Sequence, residues 1–469
     1  MHPIGGIVQL WRENPSDIIQ ILASKSLSFT PFGVPGLKKV IFLEILLVSA
    51  LVFLTACGGG STKSNGSGLS YRAFISNPLF AGVSPALQIV DAQNDTLSPN
   101  NISLSGELTQ PSMMTLSPSR QYSMVYSPVS PAVAIINNST EGFATTSTGG
   151  NTLPISLPGL ADSMFIANDN ATGYIAVPSA PNQNGQLPGA VFQMQLFNST
   201  IAATIPIPSA HYIVSSKDGN TILVFSDNSD AISVISTILI GTNSNPVQAP
   251  IASPNLDRPV GAVLSSDGSV AYILNCGPEC GGKQASVVAM QMSDFSLGTP
   301  VPVQGATIAL LNNSTLYVAG SAPNTRCGGS TAANYCGDLN VIDTNSMSLI
   351  NSSPISITDG WHNHMELSAD GKLFIGAHNC SSVNVSGGEV RGCLTIYDST
   401  ARTTVFPAFV GDVTGIAPIL GRQIVYVVQN GVLNIFDTTT DQIEVQNPQP
   451  LFIGGLPFDV KYVDPPIPN

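Results

Sequence analysis

A hairpin pattern that recurs along the chain is the feature that most constrains the fold. In its clearest copy, residues 259–274, two apolar segments flank the pair Asp267-Gly268. Copies with the same Asp-Gly turn lie at 212–225 and 365–377. An Asp-Gly pair between alternating apolar residues is typical of a tight β-hairpin, because glycine tolerates the positive φ that such turns need. The pattern therefore predicts a chain rich in short antiparallel strands.

A second motif follows each hairpin and consists of an apolar strand that ends in a turn-forming residue. The clear copies end in aspartate, and the weaker ones end in other polar residues: Asp91, Asp343, Asp398 and Asp437, then Asn137, Gln195, Ser236 and Gln291. These end points are about 49 residues apart on average, within the repeat lengths of propeller proteins. Four short strands in each such repeat predict the blade of a β-propeller.

The two ends of the repeat region predict how the ring closes. The first strand pattern, 71–76, lacks a preceding partner, and the last, 456–463, lacks a following one. Pairing them completes a blade from both chain ends and leaves no open sheet edge. We therefore expect an all-β fold over residues 69–465: a single closed β-propeller of eight four-stranded antiparallel blades. Seven blades are the alternative, if the weak copy at 156–204 merges with its neighbour.

The N-terminal region predicts export and lipid attachment. Lys38-Lys39 precede an apolar run, and Leu54-Thr55-Ala56-Cys57 resembles the lipobox of bacterial lipoproteins. The resemblance implies a signal peptide over 38–56, cleavage before Cys57 and acylation of that cysteine. A flexible Gly/Ser-rich linker follows at 57–68. A transmembrane anchor is the alternative, but the run is shorter than the roughly 20 residues that span a bilayer.

Residues 1–37 do not fit a signal peptide, and we interpret them as an extension from a misassigned start site. Gly58, directly after Cys57, resembles the pattern that allows lipoproteins to proceed to the outer membrane. The expected location is the bacterial cell envelope, with lipid attachment to the outer membrane favoured over the inner membrane, facing either the periplasm or the surface.

The other six cysteines form close pairs along the sequence, Cys276 with Cys280, Cys327 with Cys336, and Cys380 with Cys393. An even number of cysteines in an exported protein indicates disulfides. The local pairing is favoured because each pair lies in one loop between a hairpin and the next strand. Cys-Gly-Pro-Glu-Cys also has the spacing of half a metal site, but no second pair or histidine cluster completes a tetrahedron.

The repeat motifs resemble those of the YVTN/lactonase-like propeller superfamily, which carry a Ser-x-Asp-Gly turn, a Tyr-Val strand and a Val-x-Asp-Thr strand end. The matching segments here are Ser265-Ser266-Asp267-Gly268, Ala271-Tyr272-Ile273 and Val341-Ile342-Asp343-Thr344. The resemblance covers about residues 68–465 and implies the fold. It specifies function poorly, because the fold carries lactonases, cofactor-dependent dehydrogenases, assembly factors and binding modules. The repeated aspartates themselves require only turn chemistry at strand ends.

The three cysteine-containing loops predict a binding face. They span 274–286, 320–338 and 377–393, in three successive blades, and they are longer than typical connections. In a propeller, these loops lie on the same face as the segments that enter the innermost strands. Long loops are usually functional or disordered, and disulfides argue against disorder. We expect a rigid binding rim; solvated insertions at surface turns are the alternative.

Histidines give a second indication of a site, because three of the four in the mature chain fall in one repeat. His362 and His364 are two residues apart on a strand that enters the channel, so they are expected to point the same way. Together with His378 at the same rim, they could form a metal or anion site or hold an acid/base, and Glu366 continues the same strand face. The candidate rim residues are Trp361, His362, His378, Asn379 and Arg391. Ordinary polar residues lining a wet channel are the alternative.

Composition and missing motifs exclude several functions. Only 10% of residues are charged and the net charge is −13, which argues against nucleic-acid binding and against electrostatic docking on anionic membranes. No phosphate loop, Gly-x-Ser-x-Gly elbow or haem attachment motif is present. We expect a monomeric lipoprotein without metal or cofactor that binds a protein, a glycan or a small molecule through its rim. A lactonase-like hydrolase using His362, His364 and Glu366, and an outer-membrane assembly or scaffold factor, are the alternatives.

Overall fold

The computed structural model describes residues 66–78, 85–104, 108–182, 187–323, 335–380, 384–385, 389–390, 392–444 and 451–468. The chain divides into two compact units, Met1–Thr62 and Lys63–Asn469. The first unit, which contains the predicted signal peptide and Cys57, lies outside the described residues. Among the described residues, no helix has the length and apolar character needed to cross a membrane.

The strands of the first half of the second unit form three strands of one blade, then a group of five, then two groups of four. They are β1 Arg72–Asn77, β2 Ala86–Asp91, β3 Thr96–Ser103, β4 Met114–Leu116, β5 Tyr122–Ser127, β6 Ala132–Asn137, β7 Gly142–Phe143, β8 Ile155–Ser156, β9 Ser163–Ile166, β10 Thr172–Val177, β11 Ala190–Gln195, β12 Thr200–Pro206, β13 Ala210–Ser215, β14 Thr221–Ser226, β15 Ala231–Ser236 and β16 Ile251–Ala252.

The second half continues the same order. Its strands are β17 Pro259–Leu264, β18 Val270–Asn275, β19 Ser286–Gln291, β20 Val301–Pro302, β21 Ile308–Asn312, β22 Thr315–Pro323, β23 Tyr335–Asp343, β24 Ser348–Leu349, β25 Ile355–Ile357, β26 Trp361–Leu367, β27 Lys372–His378, β28 Asn384–Val385, β29 Glu389–Val390, β30 Leu394–Asp398, β31 Thr403–Val405, β32 Val413–Pro418, β33 Ile424–Gln429, β34 Val432–Asp437, β35 Gln442–Ile443 and β36 Asp459–Tyr462. Short 3-10 helices lie at Leu196–Asn198, Thr237–Leu239 and Gly277–Cys280.

In the described part of the chain these strands form eight antiparallel blades, so the predicted eight-bladed propeller is confirmed and the seven-bladed alternative is wrong. We number the blades from the one that contains β1. Blade 1 has the order β3-β2-β1-β36, which means that the C-terminal strand completes it, as predicted. The first strands of successive blades contact one another round the whole ring, from β4 through β9, β13, β17, β21, β26 and β32 to β36 and back to β4. They therefore line a central channel.

Each of the end points predicted from the sequence closes the third strand of a blade. Asp91, Asp343, Asp398 and Asp437 accept hydrogen bonds from the backbone N–H two residues on, at 2.8–3.0 Å. These aspartates are therefore turn formers, as their periodicity indicated.

The hydrophobic core lies between the blades. Among the described residues, each of the eight blade interfaces holds one cluster of buried apolar side chains. Residues on both faces of the middle strands are buried, as in Ala73, Phe74 and Ile75 of β1. Both faces of a blade pack against neighbours, which explains why these strands are almost wholly apolar rather than strictly alternating.

A buried ion-pair network ties the two ends of the propeller together. Arg72, at the start of β1, donates from Nε and Nη2 to the Asp464 carboxylate at 2.8 and 2.6 Å. Its Nη1 lies 2.7 Å from Glu141 Oε1 and 2.6 Å from the Asn138 carbonyl oxygen in blade 2. The Arg72, Glu141 and Asp464 side chains are only 3, 5 and 10% exposed. A single guanidinium group thus pairs with two buried carboxylates.

Chain direction distinguishes the two faces of the ring. We call the face that carries the connections between second and third strands, and the entries to the first strands, the rim. The three cysteine-containing connections, β18–β19, β22–β23 and β27–β30, all lie on the rim. The described chain begins on the opposite face, where Ser67 Oγ donates to Glu141 Oε1 at 2.6 Å, beside the turn between β6 and β7.

Candidate functional site

A cavity of about 220 Å³ opens on the rim among blades 4, 5 and 7. Its walls come from the start of β13, the loop after β14, the start of β17, the 3-10 helix of the β18–β19 connection and the start of β26. Its lining includes aromatic and titratable side chains: His211, Tyr212, Asp227, Arg258, Glu279 and Trp361. A concave site with a few convergent polar groups and aromatic walls is the usual form of a ligand pocket.

β-Bulges near the start of several first strands shape this end of the channel. The pairing register shifts at His211 in β13, Val260 in β17, Asn363 in β26 and Thr414 in β32. A bulge inserts one extra residue and redirects its side chain. Within the described chain, Nδ1 of His211, Oδ1 of Asn363 and Oγ1 of Thr414 are buried without a hydrogen-bond partner. The bulges therefore present unsatisfied polar atoms next to the channel.

His211 lies between two carboxylates from different blades. Its Nδ1 is 3.0 Å from Asp227 Oδ1 and 3.4 Å from Asp162 Oδ2, close enough for charge interaction although neither contact has hydrogen-bond alignment. Burial raises the pKa of Asp162, the neighbouring His211 lowers it, and Asp227 raises it. Among the described residues, no group of three such side chains has the geometry of a metal site. The cluster is therefore a local excess of negative charge rather than a preformed metal centre.

Tyr212 and Trp361 form an aromatic wall that joins blade 4 to blade 7. Burial raises the pKa of the Tyr212 hydroxyl, and a hydrogen bond from the Trp361 side chain lowers it. The His211 and Tyr212 rings lie 4.3 Å apart between centroids. Because tryptophan is only a donor, the Tyr212 hydroxyl keeps its own proton available for a ligand.

The carboxyl group of Glu279 has an unusual environment for an acidic side chain. Glu279 lies on the 3-10 helix Gly277–Cys280, and the Cys276–Cys280 disulfide closes this segment. Its Oε2 accepts a hydrogen bond of 2.9 Å from the Ser321 backbone N–H in blade 6. Burial raises the pKa of Glu279 to about 7, against the opposing effect of that hydrogen bond. A carboxyl group near half-protonation at neutral pH is typical of functional sites.

The loop that holds Glu279 depends on Gly277. Gly277 has φ +64°, and a Cβ there would lie 2.2 Å from the Ala285 nitrogen and 2.4 Å from the Gln284 carbonyl carbon. We expect Gly277→Ala to lower the free energy of unfolding by about 1–3 kcal/mol, because backbone rather than a flexible side chain blocks the new methyl group. Chemical denaturation measures the loss. Gly281→Ala is the matched control, since it also has positive φ (+77°) but has no atom within 4 Å of the added Cβ. Equal losses in both variants would contradict the close-approach explanation.

A second cavity of about 210 Å³ continues into the channel below the first. Tyr212 and Val260 line both, and Thr307, Asn363 and Ala309 line the deeper one. The rim cavity therefore connects with the channel through the aromatic and bulged residues of β13 and β17.

The structure separates the two histidines that the sequence grouped. His362 is fully buried, and its Nε2 lies 2.9 Å from the Thr358 carbonyl oxygen. Burial lowers the pKa of His362 to about 4. The bulge pairs His362 with Ala377 and His364 with Gly376, on opposite faces of β27. The expectation that both imidazoles point the same way is therefore wrong, because the extra residue Asn363 reverses the alternation.

His364 and Glu366 lie in a different environment from the rim cavity. Burial, and then the charge of Lys461, lower the pKa of His364. Glu366 is exposed and has charged neighbours in Lys461, Asp459 and Arg120. Asp459 is buried and accepts hydrogen bonds from the Met114 backbone N–H at 2.9 Å and from Lys461 Nζ at 3.0 Å. This group is an internally compensated cluster on β26 and β36.

Of the other predicted rim residues, Trp361 lines the cavity. His378 pairs with Trp361 across β26 and β27, and the exposed Asn379 donates its backbone N–H to Asp412 Oδ1 at 2.8 Å. Arg391 lies outside the described residues. The Cys276–Cys280 and Cys380–Cys393 disulfides are present, with Cα atoms 5.7 and 5.6 Å apart. For the third predicted pair, Cys327 and the side chain of Cys336 lie outside the described part.

Sequence reasoning missed His211, Asp227 and Glu279. Glu279 could have been noted as a carboxylate between two bridged cysteines, preceded by Gly277 and Pro278. No local pattern distinguishes His211, because its role comes from Asp162 and Asp227, which other loops contribute.

Comparisons with known proteins identify the fold. No protein-family model and no curated protein matches the chain. Among solved structures, dihydro-heme d1 dehydrogenase NirN in complex with DHE is similar with a TM-score of 0.56 and 12% identity, covering 84% of this chain and 75% of that one. Kuenenia stuttgartiensis hydrazine synthase gives a TM-score of 0.50 and 14% identity over 71% of this chain and 96% of that one. The periplasmic gluconolactonase PpgL of Pseudomonas aeruginosa gives 0.48 and 15% over 84% and 98%.

At these identities the similarity shows the fold alone. The fold and the rim cavity together define the class of protein: a disulfide-containing β-propeller with a pocket where three blades meet at one face. Function has to be argued from that pocket.

Proposed function

We propose that this protein is a lipid-anchored cell-envelope protein whose propeller binds a ligand in the rim cavity. The observation that carries the proposal is the cavity itself, walled by a disulfide-closed loop that holds Glu279 rigidly against the aromatic pair Tyr212 and Trp361. A preorganised pocket loses little conformational entropy when a ligand binds.

The proposed anchor is compatible with such a role. Disulfides form in oxidising compartments, which supports export. The described chain starts on the face of the propeller opposite the rim.

A scaffold or assembly role is the second candidate, because exposed apolar side chains favour it. In the connection between β35 and β36, Phe452, Leu456 and Phe458 are 84, 51 and 39% exposed. Leu456 also lies over Gly431 of blade 8. The hydrolase alternative has less support, because His362 is fully buried and His364 faces away from it.

A ligand screen by thermal denaturation tests the proposal. A ligand at 100 times its Kd stabilises by about 2.7 kcal/mol, which is about 3 °C in Tm for a domain of this size. We expect compounds that stabilise the wild type to lose this effect in Trp361→Ala and to keep it in Phe452→Ala, a matched aromatic outside the cavity. The reverse pattern would place binding on the apolar connection instead. Turnover of a lactone in the same samples would favour the hydrolase.

A further inference from the structure

Within the described part of the chain, Glu279 has no cation to balance its charge. The Glu279 carboxylate accepts a hydrogen bond from the Ser321 backbone N–H. Among the described residues, no Lys, Arg or His forms an ion pair with it. A buried carboxylate without a partner is costly, so proteins normally pair such groups. The disulfide-closed 3-10 helix holds the backbone of Glu279 at the wall of the cavity. An external cation would supply the missing partner.

The remaining charges of the cavity favour the same kind of ligand. Asp227 lies on its wall, and Asp162 lies behind His211. Among the described lining residues, the basic side chain besides His211 is Arg258, whose Nη1 donates to the Asn228 carbonyl oxygen and whose Nε lies 3.8 Å from Asp230 Oδ1. Arg258 therefore contacts the β14–β15 loop of blade 4, and no ion pair between Arg258 and Glu279 is present among the described residues.

Aromatic rings complete the environment. Tyr212 and Trp361 line the same cavity as Glu279. Aromatic faces attract cations, and ammonium ligands are commonly recognised by aromatic rings next to a carboxylate. A cavity of about 150 Å³ accommodates benzene, so this one has room for about nine non-hydrogen atoms.

We propose that the rim cavity binds a small organic cation whose ammonium group pairs with the Glu279 carboxylate beside Tyr212 and Trp361. This inference rests on the proposed function, because it names the ligand class of the same site. Cation binding requires the ionised carboxylate. Affinity should therefore fall as the pH drops below about 7, with a proton released on binding.

Matched probes test the charge rather than the shape of the ligand. Choline and ethanolamine, which both stay cationic over this range, are titrated calorimetrically against their uncharged counterparts 3,3-dimethylbutan-1-ol and ethylene glycol, at pH 6 and pH 8. We expect at least one cation to bind about tenfold or more tightly than its neutral counterpart, and more tightly at pH 8 than at pH 6. We expect Glu279→Gln to lose this preference together with its pH dependence. Asp294→Asn, an exposed acid on the opposite face, should keep both.

Three results would overturn the inference. Equal affinity for a cation and its neutral counterpart would mean that the cavity binds ligands without an ion pair to Glu279. Unchanged cation affinity in Glu279→Gln would place the counter-ion elsewhere. If neither cation binds at millimolar concentrations, the proposed ligand class is rejected. The library screen still tests separately whether the cavity binds another ligand.

Discussion

Glu279→Gln is expected to remove a loss of stability that the wild-type protein shows between about pH 4.5 and pH 7. The pKa of this carboxyl rises from 4.5 in the unfolded chain to about 7 in the folded protein. Between these values the folded state binds more protons, so the free energy of unfolding falls as the pH rises. The full shift corresponds to at most about 3 kcal/mol, since one pKa unit is about 1.4 kcal/mol.

Denaturant unfolding at pH 4.5 and pH 8, without reductant, measures this effect. Other acids titrate too, so the informative quantity is the difference between wild type and variant. We expect Glu279→Gln to be close to wild type at pH 4.5 and more stable than wild type at pH 8. Asp294→Asn serves as the control because its carboxylate is exposed and hydrogen bonds from Ser296 lower its pKa. A Glu279→Gln protein that is less stable than wild type at pH 8 would mean that Glu279 has a cationic partner within the chain.

Arg72→Ala is expected to lower the free energy of unfolding by about 3–5 kcal/mol, the usual cost of removing one partner from a buried ion pair. The substitution leaves the Asp464 and Glu141 carboxylates buried without a cation, and it removes the hydrogen bond to the Asn138 carbonyl. Because Asp464 follows β36 and Arg72 begins β1, the loss falls on the blade that both chain ends complete.

The matched control is Arg402→Ala, an exposed arginine for which a change within about 0.5 kcal/mol is expected. A second variant, Arg72→Met with Asp464→Asn and Glu141→Gln, removes the stranded charges and should recover part of the loss. Equal effects of Arg72→Ala and Arg402→Ala would show that ring closure does not depend on this network. Denaturant unfolding followed by fluorescence provides the measurement.

The sequence predicted the architecture through local signals. All eight strand-end residues from Asp91 to Asp437 follow an apolar strand, and five of them, Asp91, Asn137, Asp343, Asp398 and Asp437, accept a hydrogen bond from their own turn. Both features can be recognised within a few residues of sequence. The cysteine pairs could be predicted for the same reason, because each of the two described disulfides joins cysteines that are close in the sequence and closes a short loop on one face.

The prediction for the two histidines failed because it used only the local sequence of the strand. Alternation along a strand placed His362 and His364 on one face, but a bulge at Asn363 reversed that order and buried His362 against Thr358. Whether a strand carries a bulge depends on how its blade meets the neighbouring blades, and the strand's own sequence does not record this.

By itself, the sequence predicted the repeat, the closing blade and the face on which the cysteine-containing loops lie, and it left eight or seven blades open. The tertiary structure alone decided the site, because His211, Glu279 and Trp361 are distant in the chain and meet only when the ring closes. The pKa of Glu279 also depends on the tertiary structure, because burial against blade 6 raises it. This burial results from the packing of the ring and cannot be read from the five residues Cys276–Cys280.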